Sequence, residues 1–203
     1  MTAKLEYFYD FSSPYAYLAS RAAEEVAHAH GAELVWRPFL LGAVFKAIGG
    51  EIVPIAAATD QKRKVLHADI HRYAEWRGLA FAWPTIFPMN TIAALRVVLQ
   101  LEGDDHARAA RRIFDAYWGE DRDISDLAVL RALLDEIGLD GAALIAGCAD
   151  AEVKERLKAA TAEAVARGVC GAPSFFVGDL LFWGQDRLET LVARALDGWV
   201  PRM

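Results

Sequence analysis

A serine and a proline stand together where a predicted buried strand is followed by a helix. Residues 5–9 alternate as a strand does, and Ser13 followed by Pro14 is typical of a helix start. Serine is a favoured N-cap, and proline fits the first helical position. Free N–H groups and the positive end of the helix dipole favour an anion there. The sequence therefore predicts an anion site at the Ser13 hydroxyl, and we interpret the anion as the thiolate of a bound cofactor.

The composition limits the classes of function. The 203 residues carry a formal net charge of −6, and 55% of them are hydrophobic. A negative net charge argues against a dominant nucleic-acid or anionic-membrane surface. No apolar run approaches the roughly 20 residues of a membrane span, and no secretory segment precedes the first strand. We therefore expect a cytoplasmic protein with a sizeable core and neither a nucleic-acid nor a membrane partner.

Cysteine and histidine add little to the candidate chemistry. Cys148 and Cys170 form no CxxC pair, so we expect two free thiols. His67 and His71 lie four residues apart on one predicted helix, a spacing that can bind a metal ion. No third ligand is apparent, and we therefore expect no metal site.

Two regions of strand signal flank a long helical block. Residues 33–37 predict a second strand, which completes a βαβ unit, and residues 174–177 and 180–183 predict a hairpin. Asp186 with Glu189 three residues later is typical of a capping box for the last helix. Caps and helical periods between the two regions predict helices over 60–78, from Asn90 to about 103, and over 105–119, 125–138, 140–147 and 150–168.

This order predicts an α/β protein with a thioredoxin-like fold and a large all-helical insertion between its βαβ and ββα halves. We expect a discontinuous thioredoxin-like domain, residues 1–41 and 169–203, and a helical insertion domain, residues 42–168, that covers the site. In such a fold the first helix begins beside the loop before the third strand, which here is Gly171 to Ser174.

Four stretches in order resemble one known family. They are DFSSPYAYLA from Asp10, WRPFLLGAVFKAIG from Trp36, GVCGAPSFFVGD from Gly168 and FWGQDRLETL from Phe182. Together they resemble the 2-hydroxychromene-2-carboxylate isomerases and the related kappa-class glutathione transferases, relatives of the bacterial disulfide oxidoreductases. The resemblance extends over essentially the full length.

This resemblance implies roles for particular residues. Ser13 matches the active-site serine, whose hydroxyl favours the thiolate of glutathione. Ala172 and Pro173 match a cis-proline loop that pairs with the cysteine moiety of glutathione. The residues implied at its γ-glutamyl end are Trp183, Gly184, Gln185 and Asp186. Those implied on the substrate side are Lys46, Trp83, Phe87 and Asn90, and the loops at 50–60 and 83–90 are expected to set specificity.

The activity that the resemblance implies is a glutathione-dependent isomerisation. Thiolate adds to 2-hydroxychromene-2-carboxylate or a related aromatic, the ring opens, one bond rotates, and thiolate leaves to give trans-o-hydroxybenzylidenepyruvate. A kappa-like transferase or peroxidase acting on an electrophile is the alternative, and a non-catalytic glutathione-binding protein is another. A disulfide oxidoreductase is disfavoured because residues 13 and 16 are serine and alanine. The resemblance also implies a homodimer.

Overall fold

A four-stranded mixed sheet lies at the centre of the fold. The computed structural model describes residues 2–51 and 54–201. The strands are β1 (Lys4–Tyr9), β2 (Glu33–Pro38), β3 (Ser174–Val177) and β4 (Leu180–Trp183). They lie in the order β2-β1-β3-β4. β1 and β2 are parallel, whereas β3 is antiparallel to β1 and to β4, which confirms the predicted βαβ unit and hairpin.

Helix α1 (Pro14–Ala29) connects the two parallel strands and packs on the sheet. Its small and apolar residues bury one side almost completely, and the Tyr7 hydroxyl of β1 donates to the carbonyl of Ala16 at 2.6 Å. Gly31 ends the connection with a φ of +62°, a left-handed conformation that glycine adopts without steric cost. Helix and sheet are therefore fixed to each other at the end that carries Ser13.

Helices occupy the chain between β2 and β3, where the described residues contain no strand. The helix Gly103–Phe114 continues directly into a π-helical turn, Asp115–Gly119. None of the helices in the described ranges is long and apolar enough to cross a membrane. The helices are α2 (Leu41–Ile48), α3 (Pro54–Ala57), α4 (Asp60–Trp76), α5 (Ile92–Val98), α6 (Gly103–Phe114), α7 (Leu127–Glu136), α8 (Gly141–Gly147) and α9 (Ala151–Ala166).

The sheet and the helical block share one apolar core. Tyr9 of β1, Phe11 and Phe114 of α6 are each fully buried, and the rings of Phe11 and Phe114 lie 4.8 Å apart. A smaller buried cluster, Leu18 with Ile70 and Ala74, joins α1 to α4. The helical block is thus packed directly against the elements that carry the candidate site.

Several predicted helix starts are wrong in detail. Helix α6 begins at Gly103 rather than at residue 105, and the N-cap of α7 is Asp126 rather than Ser125. Helix α5 begins at Ile92 with Thr91 in the N-cap position, one residue later than predicted, although the Asn90 side chain accepts a hydrogen bond from the Ile92 N–H at 3.1 Å. The predicted capping box of Asp186 with Glu189 is absent from the described chain, since Glu189 forms an ion pair with Arg77. The chain after β4 instead forms a 3-10 turn (Gln185–Arg187), a π-helical turn (Leu188–Val192) and the short α10 (Ala193–Leu196).

The two cysteines form no disulfide, and the two predicted metal-spaced histidines pack against aromatic rings. Cys148 is buried and Cys170 is exposed, and neither is in a disulfide. His67 packs on the Trp83 ring at 4.2 Å, and His71 meets the Phe81 ring edge-on at 4.9 Å. Over residues 2–51 and 54–201 no cluster of three potential metal ligands occurs.

Candidate active site at the start of α1

The Ser13 hydroxyl lies where α1 begins and is 4% exposed. Its oxygen accepts a hydrogen bond from the N–H of Ala16 at 3.2 Å, so Ser13 is the N-cap that the sequence predicts. The same hydroxyl donates to the carbonyl of Ala172 at 2.7 Å. One side chain therefore joins the helix start to the loop before β3, although 159 residues separate the two partners in sequence.

The loop before β3 contains the predicted cis peptide, between Ala172 and Pro173. The Ser174 hydroxyl closes the loop by donating to the carbonyl of Gly171 at 2.8 Å. The Gly184 N–H donates to the carbonyl of Pro173 at 3.0 Å. Three separate segments thus converge: the start of α1, the proline loop and the turn after β4.

Two glycines shape the turn after β4. A Cβ atom at Gly171 would stand 2.4 Å from the indole Nε1 of Trp183. The indole therefore packs directly on the glycine backbone, and any larger residue at 171 would collide with it. Gly184 has a φ of +103°, and a Cβ atom there would come within 2.6 Å of the Asp186 carboxylate. The Trp183 side chain nevertheless remains 54% exposed, and it borders the proline loop.

The remaining predicted cofactor residues lie in this turn. Gln185 is buried, and its side-chain oxygen accepts a hydrogen bond from Arg77 at 3.3 Å. The exposed carboxylate of Asp186 pairs with Arg187 at 2.9 Å. Burial raises the pKa of Tyr15, in the first turn of α1, and the negative charges of Asp69 and Asp186 raise it further. Asp186 therefore acts electrostatically on the same end of α1 that carries Ser13.

Asp10 organises the base of the site, a role that the sequence does not reveal. Its carboxylate is 1% exposed and accepts hydrogen bonds from the Ser12 N–H at 3.0 Å, the Leu41 N–H at 2.7 Å and the Thr91 hydroxyl at 2.8 Å. Burial raises the pKa of Asp10, and these hydrogen bonds oppose that effect. The loop before Ser13, the start of α2 and the start of α5 are thus held by one side chain.

An aromatic wall adjoins the Ser13 loop. The Trp83 ring lies 5.1 Å from that of Phe87 and 6.0 Å from that of Trp118, so the two predicted substrate-side aromatics come together. Trp118 was not predicted, yet its indole N–H donates to the Phe11 carbonyl at 2.8 Å. This hydrogen bond ties the wall to the chain segment that leads into Ser13.

The polar residues predicted on the substrate side are less closely tied to the site. Lys46 is exposed near the end of α2, and within the described ranges it forms no salt bridge. Asn90 is exposed, and its side-chain oxygen accepts a hydrogen bond from the Ile92 N–H at 3.1 Å. Lys46 follows Leu41 and Asn90 precedes Thr91, the two residues of α2 and of the α5 start that Asp10 anchors. The predicted specificity loop at 50–60 includes residues 52 and 53, which lie outside the described residues.

Comparisons with known proteins agree with this architecture. A family model described as a DSBA-like thioredoxin domain matches residues 4–195. The chain is 31% identical over 198 residues to the 2-hydroxychromene-2-carboxylate isomerase of Sphingobium xenophagum, with 97% of this chain and 100% of that protein covered. It is also 31% identical over 191 residues to the Pseudomonas putida protein of that name, with 92% and 91% covered.

A solved structure of a 2-hydroxychromene-2-carboxylate isomerase superposes with a TM-score of 0.81 at 25% identity. The superposition covers 95% of this chain and 94% of that one, so the helical block as well as the sheet is shared. The proline loop, the serine-capped helix and the extent of both matches lead to one conclusion. The chain carries a DSBA-like thioredoxin domain and belongs to the 2-hydroxychromene-2-carboxylate isomerase family.

Proposed function

We propose that the protein is a glutathione-dependent isomerase that converts 2-hydroxychromene-2-carboxylate, or a related aromatic, into trans-o-hydroxybenzylidenepyruvate. The observation that carries this proposal is the Ser13 hydroxyl, which stands at a helix N-terminus and faces the Ala172 carbonyl at 2.7 Å. The names of relatives that match over nearly the full length supply the class of reaction and the substrate.

The residues around Ser13 fit glutathione by their chemistry. The helix start offers a hydroxyl and a positive dipole end for a sulfur anion. The exposed Asp186 carboxylate can pair with an ammonium group, and the exposed face of Trp183 can cover an extended peptide. The described chain supplies no redox pair of its own here, because residue 16 is alanine and Cys148 is buried.

Bound glutathione would supply a sulfur nucleophile that adds reversibly to an unsaturated substrate. A free thiol titrates near pH ~8.5, and a pKa about one unit lower requires about 1.4 kcal/mol of preference for the thiolate. A hydrogen bond to a charged group contributes about 1.5–3 kcal/mol. Ser13 can supply this stabilisation by donating its proton to sulfur instead of to the Ala172 carbonyl.

The remaining residues would bind and orient the two molecules. Asp186 would hold the γ-glutamyl ammonium, while the proline loop at Ala172 and Pro173 would pair with the peptide backbone. Trp83 and Phe87 would flank the aromatic ring. Lys46 and Asn90, at the ends of segments held by Asp10, would face the carboxylate side of the substrate.

Product and thiol measurements on one sample test this function. Enzyme, glutathione and 2-hydroxychromene-2-carboxylate are mixed, and both the absorbance change and the free thiol concentration are followed. We expect isomerisation that requires glutathione and leaves the thiol concentration constant. Stoichiometric loss of thiol would instead identify a transferase. Tight glutathione binding with no turnover of this or any electrophile tested would identify a binding protein.

A further inference from the structure

Arg77 lies directly after α4 and points into the protein rather than into solvent. Its side chain is 8% exposed. Its two terminal nitrogens contact the Glu189 carboxylate at 3.1 and 3.2 Å, and one of them also donates to the side-chain oxygen of Gln185 at 3.3 Å. A long-range ion pair thus links the helical block to the turn after β4, more than 100 residues further along the chain.

The contacts of Arg77 and those of the proline loop hold adjacent residues of the same turn. The Gly184 N–H is bound to the carbonyl of Pro173, while the next residue, Gln185, is bound through its side chain to Arg77. Asp186 is the next residue in the chain. Its carboxylate is exposed, and among the described ion pairs it binds Arg187 and not Arg77. The chain immediately before Asp186 is therefore held by two separate segments, the proline loop and the residue after α4.

Stability alone is a weak reason for burying this guanidinium. The Nε atom of Arg77 is buried and has no hydrogen-bond partner among the described residues. Burying a charged group with an unsatisfied donor costs free energy that a single carboxylate offsets only in part. The Trp76 ring beneath the guanidinium, at 5.0 Å, adds a cation–π contact that orients the group further. These contacts suit a guanidinium whose role is to hold the turn after β4 in one conformation.

We propose that Arg77 is a positioning residue for glutathione: by holding Gln185 and Glu189 it sets the turn that presents Asp186 to the γ-glutamyl end of the cofactor. This inference rests on the proposed function. It places a determinant of cofactor affinity in the helical block, outside the segments that the sequence predicts to bind glutathione. Arg77 acts on binding and not on the thiolate, which Ser13 contacts.

The test compares Arg77→Met with Arg112→Met. Arg112 is a matched control, because its side chain is 17% exposed and it also binds carboxylates, those of Glu120 and Glu136. Glutathione affinity is measured by calorimetry, the kinetic constants by varying glutathione, and stability by urea unfolding. For Arg77→Met we expect the Kd and KM for glutathione to rise about tenfold, a change of about 1.4 kcal/mol, and kcat at saturating glutathione to stay within about twofold.

Arg112→Met is expected to lose stability while its glutathione Kd stays at the wild-type value. Arg77→Lys is expected to restore part of the affinity, since lysine keeps the charge but not the two parallel contacts. An Arg77→Met protein that folds and binds glutathione as the wild type does would overturn the inference and leave the proposed function intact. A wild-type protein that binds no glutathione would instead overturn the proposed function itself.

Discussion

The Ser13 hydroxyl and the Ala172 carbonyl oxygen lie 2.7 Å apart, and the hydroxyl proton points to that oxygen. A serine has one proton to donate, so a sulfur anion that binds Ser13 must replace Ala172 as the acceptor. The helix start and the proline loop are thus in direct contact, and a sulfur anion that binds Ser13 would exchange one hydrogen bond for another.

Ser13→Ala tests this exchange. The variant removes the donor to sulfur, so we expect kcat/KM to fall about 10- to 100-fold, the equivalent of a charge-assisted hydrogen bond. Loss of the N-cap should lower the free energy of unfolding by about 0.5–2 kcal/mol. Ser20→Ala is the control, because that buried hydroxyl of the same helix donates only to the Tyr17 carbonyl. Equal activity in both variants would show that Ser13 serves only as a cap.

Asp10→Asn probes the base of the site. All three groups that contact Asp10 are donors, so either orientation of an asparagine amide would direct an N–H group at one of them. We expect a loss of about 1–3 kcal/mol in urea unfolding and reduced activity. Asp126→Asn should cost little, because Asp126 is an exposed N-cap and asparagine caps equally well. Wild-type stability of Asp10→Asn would refute this account of the carboxylate.

Gly184→Ala should weaken glutathione binding. Residue 184 has a φ of +103°, which side chains rarely adopt, and its new Cβ atom would collide with Asp186. We expect the Kd for glutathione to rise at least about tenfold, equivalent to about 1.4 kcal/mol. Gly178→Ala is the matched control, since Gly178 also has a positive φ, +58°, but an added Cβ atom meets no other atom within 4 Å. Similar glutathione affinities for the two variants would show that the turn at Gly184 takes no part in glutathione binding.

Trp83→Leu addresses the aromatic wall. The Trp83 ring packs against the rings of Phe87 and Trp118. Among the described residues Trp83 forms no hydrogen bond with Ser13. We expect the KM for the aromatic substrate to rise about 5- to 30-fold, the effect of about 1–2 kcal/mol of lost ring contact. Glutathione affinity serves as the internal control and should be unchanged. A selective loss of glutathione affinity would place the wall on the cofactor side.

His106 makes the stability depend on pH. Burial lowers its pKa from 6.5 to about 4, and its Nε2 lies 2.9 Å from the Tyr9 hydroxyl. Below about pH 6.5 the unfolded chain binds a proton that the folded protein does not, so the free energy of unfolding falls by about 2 kcal/mol between about pH 7 and about pH 5. The raised pKa of Asp10 acts in the opposite direction, because as the pH falls the folded protein binds that proton before the unfolded chain does.

His106→Gln removes this titration while keeping a hydrogen-bonding group near Tyr9. Urea unfolding of both proteins at about pH 7 and about pH 5 should show a smaller difference for the variant. If the two proteins lose stability equally over that interval, another group is responsible for the pH dependence.

Features that local sequence specifies were predictable, and features made by distant partners were not. Ser13 before Pro14 signals a cap with its own neighbours, and the hairpin at Gly178 is equally local, so both were predicted. Asp10 gave no signal, because two of its partners lie 31 and 81 residues away. The capping box at Asp186 failed for the same reason, since Arg77 forms an ion pair with Glu189 across the fold.

The Trp183 indole, just over half exposed beside Gly171, gives the proposed glutathione site a built-in optical reporter. An indole emits at shorter wavelength when water leaves its surroundings, and a Trp183→Phe variant separates this signal from those of the other five tryptophans. The difference between the two proteins therefore follows occupancy of the site without a label.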